Sequence, residues 1–347
     1  MSTFSKKLLQ WYNPNERNLP WKQTNDAFKI WLSEIILQQT RVAQGTPYYL
    51  AFIKKYPTIS KLAKAPLDEI LKLWEGLGYY SRARNLHQAS IQIMEKHNGH
   101  FPNTYPEILQ LKGVGKYTAA AIASFAYGLP YAVVDGNVYR VLARVFGIEI
   151  PIDSTLGKKH FEEIAQQLLD KDNAALYNQA IMDFGALVCK PSNPLCNQCP
   201  FSSSCIALTQ DKIQHLPVKT KKITKTTRHF HYFVIHNTAH ILIQQRMQND
   251  IWHGLFEFPM IETKDHTLPN DTKSIFGSNK KLSTTSSFSF KQELTHQTIR
   301  AHFHEIKLSS LPRQNTDLIH AVKRDLTKYV FPKIIHSYLQ VRLIYLT

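Results

Sequence analysis

The sequence predicts a multidomain protein. Its N-terminal two-thirds is expected to be all-α, in two packed lobes closed by a metal-holding loop, and its last third a separate α/β domain. Three observations predict this. From Ser5 to about Leu208, apolar residues recur at spacings of three and four, with short breaks such as Tyr56-Pro57, Gly76 to Gly78 and Ile150-Pro151 and no clear alternating stretch. All four cysteines of the 347-residue chain, Cys189, Cys196, Cys199 and Cys205, fall together with the spacing C-x6-C-x2-C-x5-C. Beyond a basic segment, the runs FHYFVIH, AHILIQQR, LFEFP and TIRAHFHEIKL alternate in the manner of strands.

The helical part implies about eight to eleven short helices. The cysteine segment KPSNPLCNQCPFSSSC is rich in Pro, Ser and Asn and must wrap as loop around whatever the thiolates hold. Two disulfides would suit a small secreted domain. A structural zinc favours two C-x2-4-C knuckles, of which only Cys196 and Cys199 form one. A four-iron cluster needs four thiolates and tolerates uneven spacing. Residues 216–228 lack acidic side chains and read as a basic linker. After the strands, GSNKKLSTTSSFSF reads as an exposed loop, and a helix is expected over Phe331 to Leu339.

Composition is that of a soluble globular protein, 43% apolar and 20% charged, with no apolar run long enough to span a bilayer. The N-terminus MSTFSKKLLQWYNP lacks the marks of a secretory signal, so a reducing cytoplasm is the expected compartment. Formal net charge is +16, from 42 Lys and Arg against 26 acids, which favours a polyanionic partner.

Three motifs carry candidate chemistry. In LKGVGKYTAAAIASF, Gly113 and Gly115 bracket Val114 just before an Ala-rich helix. Such a helix-hairpin-helix turn exposes backbone N–H groups to a DNA phosphate, with Lys116 adding charge. In WLSEIILQQTRV, the helical neighbours of Glu34 are Ile30, Trp31, Leu37 and Gln38, and a mostly apolar face raises a carboxyl pKa toward that of a general acid. In VVDGNVYRVLARVFG, Asp135 is an N-cap candidate, and backbone N–H donors there are expected to keep its pKa low. One protonated and one ionised carboxyl group facing one cleft suits hydrolysis through an oxocarbenium-like state.

Together, RNLPW, SEIILQQT, GLGYYSRARNL, LKGVGKYTAAAI, VDGNVYRVLAR and YNQAIMDFGALVC resemble the helix-hairpin-helix DNA glycosylases with an iron–sulfur cluster. The match is closest to the adenine DNA glycosylases of the MutY type. Endonuclease III, a relative, places a Schiff-base lysine where this chain has Tyr117, and a phenol cannot form an imine. The resemblance implies a two-lobed core over 1–215: a six-helix lobe over about 22–130, and an iron–sulfur lobe from about 1–21 and 131–215. A Nudix-like domain over 229–347 is implied by QQRMQNDIWHGLFEFP. It lacks the glutamate-rich box of the hydrolases, so it is expected to bind without hydrolysing.

The resemblance further implies one [4Fe-4S] cluster on the four cysteines, and excision of adenine paired with 8-oxoguanine or guanine in duplex DNA. Glu34 would be the acid and then the base, Asp135 the stabiliser of the sugar cation, with Tyr117 and Asn137 orienting them. Arg17, Trp21, Leu37, Val42, Gln179 and Met182 fall at positions of the adenine pocket, and Gln39 and Tyr79 at positions wedged beside 8-oxoguanine. Thr295 and His296 match part of a lesion-reading loop whose usual aromatic is Leu294 here. A monomer acting on nucleoid DNA, with no membrane partner, is expected. Two alternatives stand: a bifunctional endonuclease III-like pyrimidine-lesion glycosylase, and a non-enzymatic iron–sulfur DNA-binding regulator.

Overall fold

The computed structural model describes residues 2–220, 224–268, 286–312 and 318–342. The chain forms two compact units, Met1–Ala65 with Arg84–Lys222, and Pro66–Ala83 with Ile223–Thr347. Among the described residues, twelve α-helices precede the first strand, one more than the upper expectation, with Ile206–Thr209 closing the cysteine loop as a single turn.

In unit 1, α1 (Thr3–Tyr12), α8 (Lys116–Tyr127), α9 (Gly136–Phe146), α10 (Thr155–Leu168) and α11 (Ala174–Leu187) share one core. It is built on Leu8, Tyr12, Val138, Val141, Phe161, Tyr177 and Phe184. α2 (Ala27–Leu37) packs against α3 (Val42–Lys55) and α8. Asp26 caps α2 by accepting from the backbone of Phe28 and Lys29. Because α2 is apolar on nearly every face, Ala27 to Ile36 is buried apart from Lys29, which places a glutamate inside the protein.

Unit 2 is built on a seven-stranded mixed sheet in which β1 (Thr226–His236) pairs parallel with β6 (Gln297–Lys307). The other strands, β2 (His240–Gln245), β3 (Phe256–Glu257), β4 (Met260–Thr263), β5 (Ser286–Glu293) and β7 (Ile319–Val322), add antiparallel. The final helix, α13 (Lys333–Arg342), packs Ile334, Ile335, Tyr338 and Leu339 against one face. The expected helix over Phe331 to Leu339 therefore starts later and runs longer.

Two sequence expectations change. The last residues of GSNKKLSTTSSFSF form β5, since Phe288 and Phe290 alternate inward onto the core while their neighbours face out; the earlier part lies outside the described residues. The start of the basic segment is bound to unit 1. Leu216 is buried, its carbonyl accepts from Arg144 Nε at 3.0 Å, Ile152 N donates to the Val218 carbonyl at 3.0 Å, and Thr220 bonds Asp153.

Candidate active site

Glu34 sits in the second half of α2 with 8% of its surface exposed. Burial pushes its carboxyl up to about 7, opposed by a hydrogen bond from Tyr117 and assisted by the nearby Asp135 charge. Tyr117 is the second residue of α8, placed there by the hairpin turn, and its pKa is raised well above the usual phenol value by burial and by both carboxyl groups. Its hydroxyl also lies 3.3 Å from Met182 Sδ. The fold thus brings Glu34, Tyr117 and Asp135 together from three separate segments, as the sequence reading required.

Asp135 is the N-cap of α9. One oxygen accepts from Asn137 N and Val138 N at 2.8 Å each; the other accepts from Asn137 Nδ2 at 2.8 Å. The expectation that these donors hold its pKa low is not met: burial outweighs them, and its carboxyl is pushed up. It still carries three hydrogen bonds that reward the ionised form, where Glu34 has the one from Tyr117. Asn137 is held in turn by Arg140, whose guanidinium donates to Asn137 Oδ1 at 2.8 Å, the Gly185 carbonyl at 2.7 Å and the Cys189 carbonyl at 2.6 Å. Arg140 therefore joins the aspartate's partner to the first cysteine. Sequence reading missed it, although an arginine on the core side of an amphipathic helix is the signal that could have found it.

Of the other expected base-pocket residues, Trp21 is buried edge-on to Tyr49 at 5.3 Å, and Leu37, Val42, Gln179 and Met182 are half-buried. Arg17 Nη1 lies 3.5 Å from Asp183 Oδ1. Lys22 Nζ contacts Asp183 Oδ2 at 2.7 Å and Tyr12 Oη at 2.8 Å, and Tyr12 Oη lies 3.3 Å from Gln179 Oε1. Tyr12, Lys22 and Asp183 were also missed; their separation in sequence hides the cluster.

The hairpin turn has Gly113 at φ +78°, and a side chain there would meet Asn85 Cβ at 2.6 Å. Gly115 caps α8, and nothing lies within 4 Å of where its Cβ would be. Lys116 is exposed, and its ammonium pairs with Glu162 at 2.9 and 3.2 Å. Beside it, a cavity of ≈ 700 Å³ is lined by Tyr105, Tyr117, Tyr131 and Lys159 among others. Gln39 (φ +55°) and Tyr79 (φ +47°) hold left-handed backbones, a conformation rare for non-glycine residues and frequent at functional sites. Within unit 2, the Tyr79 and Thr295 hydroxyls share a short hydrogen bond, and the His296 carbonyl accepts from Thr226 N.

The four cysteines line one cavity with Arg144, Val188 and Leu195, and none is in a disulfide. Burial pushes the Cys189, Cys199 and Cys205 thiols up, Cys199 to about 11, and each feels at least one of the others. Arg144 Nη1 at 3.6 Å and Phe201 N at 3.4 Å point at the sulfurs of Cys189 and Cys199. Four thiols around one cavity, with cationic and N–H donors aimed at sulfur, fit a thiolate-held iron–sulfur cluster. Among the described residues, no group of three or more His, Cys, Asp or Glu is arranged to hold a single metal ion, and no helix is long and apolar enough to cross a membrane.

Residues 32–171 match the HhH-GPD superfamily of base excision DNA repair proteins, and residues 231–341 match the NUDIX domain. The chain is 37% identical over 307 residues to an adenine DNA glycosylase of Buchnera aphidicola subsp. Baizongia pistaciae, covering 85% of this chain and 84% of that protein. The human adenine DNA glycosylase is 45% identical over 216 residues, 60% of this chain and 40% of that one. Among solved structures, a thermostable thymine-DNA glycosylase superposes with a TM-score of 0.56 at 32% identity, over 60% of this chain and 95% of that one. An endonuclease III–DNA complex superposes with a TM-score of 0.53 at 23% identity, over 60% and 94%, which shows a shared fold. Similarity to an adenine DNA glycosylase along most of both chains, with the base excision repair model matching the segment that carries Glu34, Tyr117 and Asp135, shows that this chain belongs to the adenine DNA glycosylase family, hydrolases of N-glycosyl bonds in base excision repair.

Proposed function

We propose that the substrate is adenine opposite 8-oxoguanine, or opposite guanine, in duplex DNA. On this reading Glu34 donates its proton to the flipped adenine at N7, and the glycosidic bond breaks toward an oxocarbenium-like sugar. Asp135 stabilises the cation, by charge or by a transient covalent bond, and Glu34, now a carboxylate, takes a proton from the attacking water. Tyr117 orients Glu34, and Asn137 orients Asp135. The observation that carries the reading is the environment of the acid pair. Burial raises the Glu34 carboxyl to about 7, so a protonated fraction persists near neutrality, while Asp135 has three donors to support its charge.

The same reading assigns Arg17, Trp21, Leu37, Val42, Gln179 and Met182 to the base pocket, and Gly113, Gly115 and Lys116 to phosphate contacts. Gln39, Tyr79, Thr295 and His296 are assigned to the 8-oxoguanine side. It gives 1–215 to catalysis, 216–228 to linkage and 229–347 to lesion recognition, in a cytoplasmic monomer. Cys189, Cys196, Cys199 and Cys205 would hold a [4Fe-4S] cluster, which when bound shapes the surrounding loop for DNA.

Single-turnover cleavage of a duplex with adenine opposite 8-oxoguanine tests the reading. Free adenine and a strand that breaks only after alkali are expected. Strand nicking without alkali, together with borohydride trapping of enzyme on DNA, would favour the endonuclease III-like alternative. Loss of the visible absorbance and of bound iron in Cys199→Ser is the expected outcome for the cluster; retention of both would overturn it.

A further inference from the structure

We infer that Tyr12 and Lys22, anchored by Asp183, fix the side-chain amide of Gln179 with its NH2 toward the excised base, which makes them positioning residues for base selection. The inference rests on the proposed placement of Gln179 in the base pocket.

Its basis is hydrogen-bond bookkeeping in a buried cluster. Tyr12 has no exposed surface, and the side chains of Lys22 and Asp183 are 10% and 7% exposed. An ammonium only donates, so the Lys22 contact at 2.8 Å uses the Tyr12 oxygen as acceptor and the phenol proton must be given elsewhere. Two acceptors are in reach, Gln179 Oε1 and Glu16 Oε1, each at 3.3 Å. Glu16 is exposed and has water to pair with, whereas Gln179 is half-buried on α11. The ammonium behind the phenol also favours the negative, carbonyl end of the amide dipole over its NH2 end. With Oε1 turned to Tyr12, Nε2 is left as the group presented to the base.

That orientation has a chemical consequence. The ring nitrogens N1 and N3 of adenine accept hydrogen bonds and cannot donate. A fixed NH2 rewards such an acceptor, whereas a freely turning amide could present its oxygen to a purine N–H equally well. Asp183 makes the arrangement rigid, because its carboxylate holds both Lys22 and Arg17 and compensates two partly buried cations.

Single-turnover excision opposite 8-oxoguanine should be compared for adenine, 1-deazaadenine and 3-deazaadenine, in wild type, Gln179→Ala, Tyr12→Phe and Lys22→Met. In wild type, the analogue lacking the contacted nitrogen should react roughly fivefold slower than the other, one neutral hydrogen bond's worth. All three variants should shrink that difference to roughly twofold or less. Thermal melting of Tyr12→Phe and Lys22→Met separates this from misfolding, since a merely weakened fold slows all three substrates alike. If Gln179→Ala loses the discrimination while Tyr12→Phe and Lys22→Met keep it, the relay is refuted and the pocket placement survives. If Gln179→Ala keeps it too, or wild type shows none, the placement fails and the relay with it.

Discussion

Replacing Tyr117 by Phe removes one hydroxyl from the centre of the acid pair and leaves the ring in place. That hydroxyl bonds Glu34 and favours its ionised form, so its loss must raise the glutamate's pKa further. A hydrogen bond to a charged group contributes about 1.5–3 kcal/mol. At 1.36 kcal/mol per unit, the carboxyl should move from about 7 up by about one to two units. A general acid works only while protonated, so wild-type cleavage should decline as pH rises through about 7. In Tyr117→Phe, the alkaline decline should come one to two units later, with a lower plateau because the acid is less well oriented. Single-turnover rates with saturating enzyme, measured from pH 5.5 to about 9.5, read this without interference from product release. An alkaline limb unmoved by the substitution would refute the link between Tyr117 and Glu34. A limb absent from both proteins would remove Glu34 as the acid.

Other outcomes follow from the same geometry. Glu34→Gln should abolish adenine release yet stabilise the protein above neutrality. The buried carboxyl, shifted from 4.5 to about 7, costs about 3 kcal/mol once both states are ionised, a cost that fades as pH falls back through the folded pKa toward 4.5; equal urea midpoints for the two proteins at pH 8 would contradict this. Glu162→Gln should free Lys116, tightening binding to undamaged duplex by roughly fivefold at low salt and steepening the salt dependence by about one phosphate contact; unchanged anisotropy titrations would show that Lys116 does not meet phosphate. In unit 2, His302 and His304 are depressed to about 4, chiefly by burial and then by neighbouring His231. Their stabilising neutrality is complete above the unfolded value of about 6.5 and lost as pH falls toward 4, so unit 2 should lose a few kcal/mol between pH 7 and 5; a hydrogen-exchange profile of β1 and β6 independent of pH over that range, after correction for intrinsic rates, would refute it.

Much of the fold was legible because its signals are local. Helical spacing, Pro and Gly breaks and the strand alternation of β1, β2 and β6 each arise within one element. The β5 strand reads as loop in the sequence because its serines mask two inward phenylalanines, and its partner β6 comes later in the chain. At the site, Glu34 was legible because a carboxylate on an apolar helix face is anomalous on sight. Asp135 was legible as a cap, but the direction of its pKa was not: the number of donors can be read from a motif, whereas the depth of burial belongs to the assembled core. Tyr12, Lys22 and Asp183 illustrate the limit. No pattern joins the end of α1, the turn before α2 and the middle of α11, and only packing turns them into one cluster.

The active pair works by asymmetry, and Arg140 is where the fold enforces it. Glu34 and Asp135 are both desolvated, and burial pushes both carboxyls toward the neutral form, which supplies no counter-charge for the sugar cation. Backbone donors at the start of α9 and the Asn137 amide tilt only Asp135 toward ionisation. That amide is useful only while its oxygen is held and its nitrogen points at the carboxylate, which is what the Arg140 contact to Asn137 Oδ1 accomplishes. Arg140 spends its remaining donors on the carbonyls of Gly136, Gly185 and Cys189. Its position is therefore set from α9, from α11 and from the first cysteine at once. Any disturbance of the cysteine loop that moves the Cys189 carbonyl reaches Asp135 through three hydrogen bonds, by way of Arg140 and Asn137, and along that path reaches Glu34 through the aspartate's charge. Damage to the loop should accordingly weaken the stabilising carboxylate before it alters the acid, so an impaired loop lowers the cleavage rate while leaving the alkaline limb near about 7.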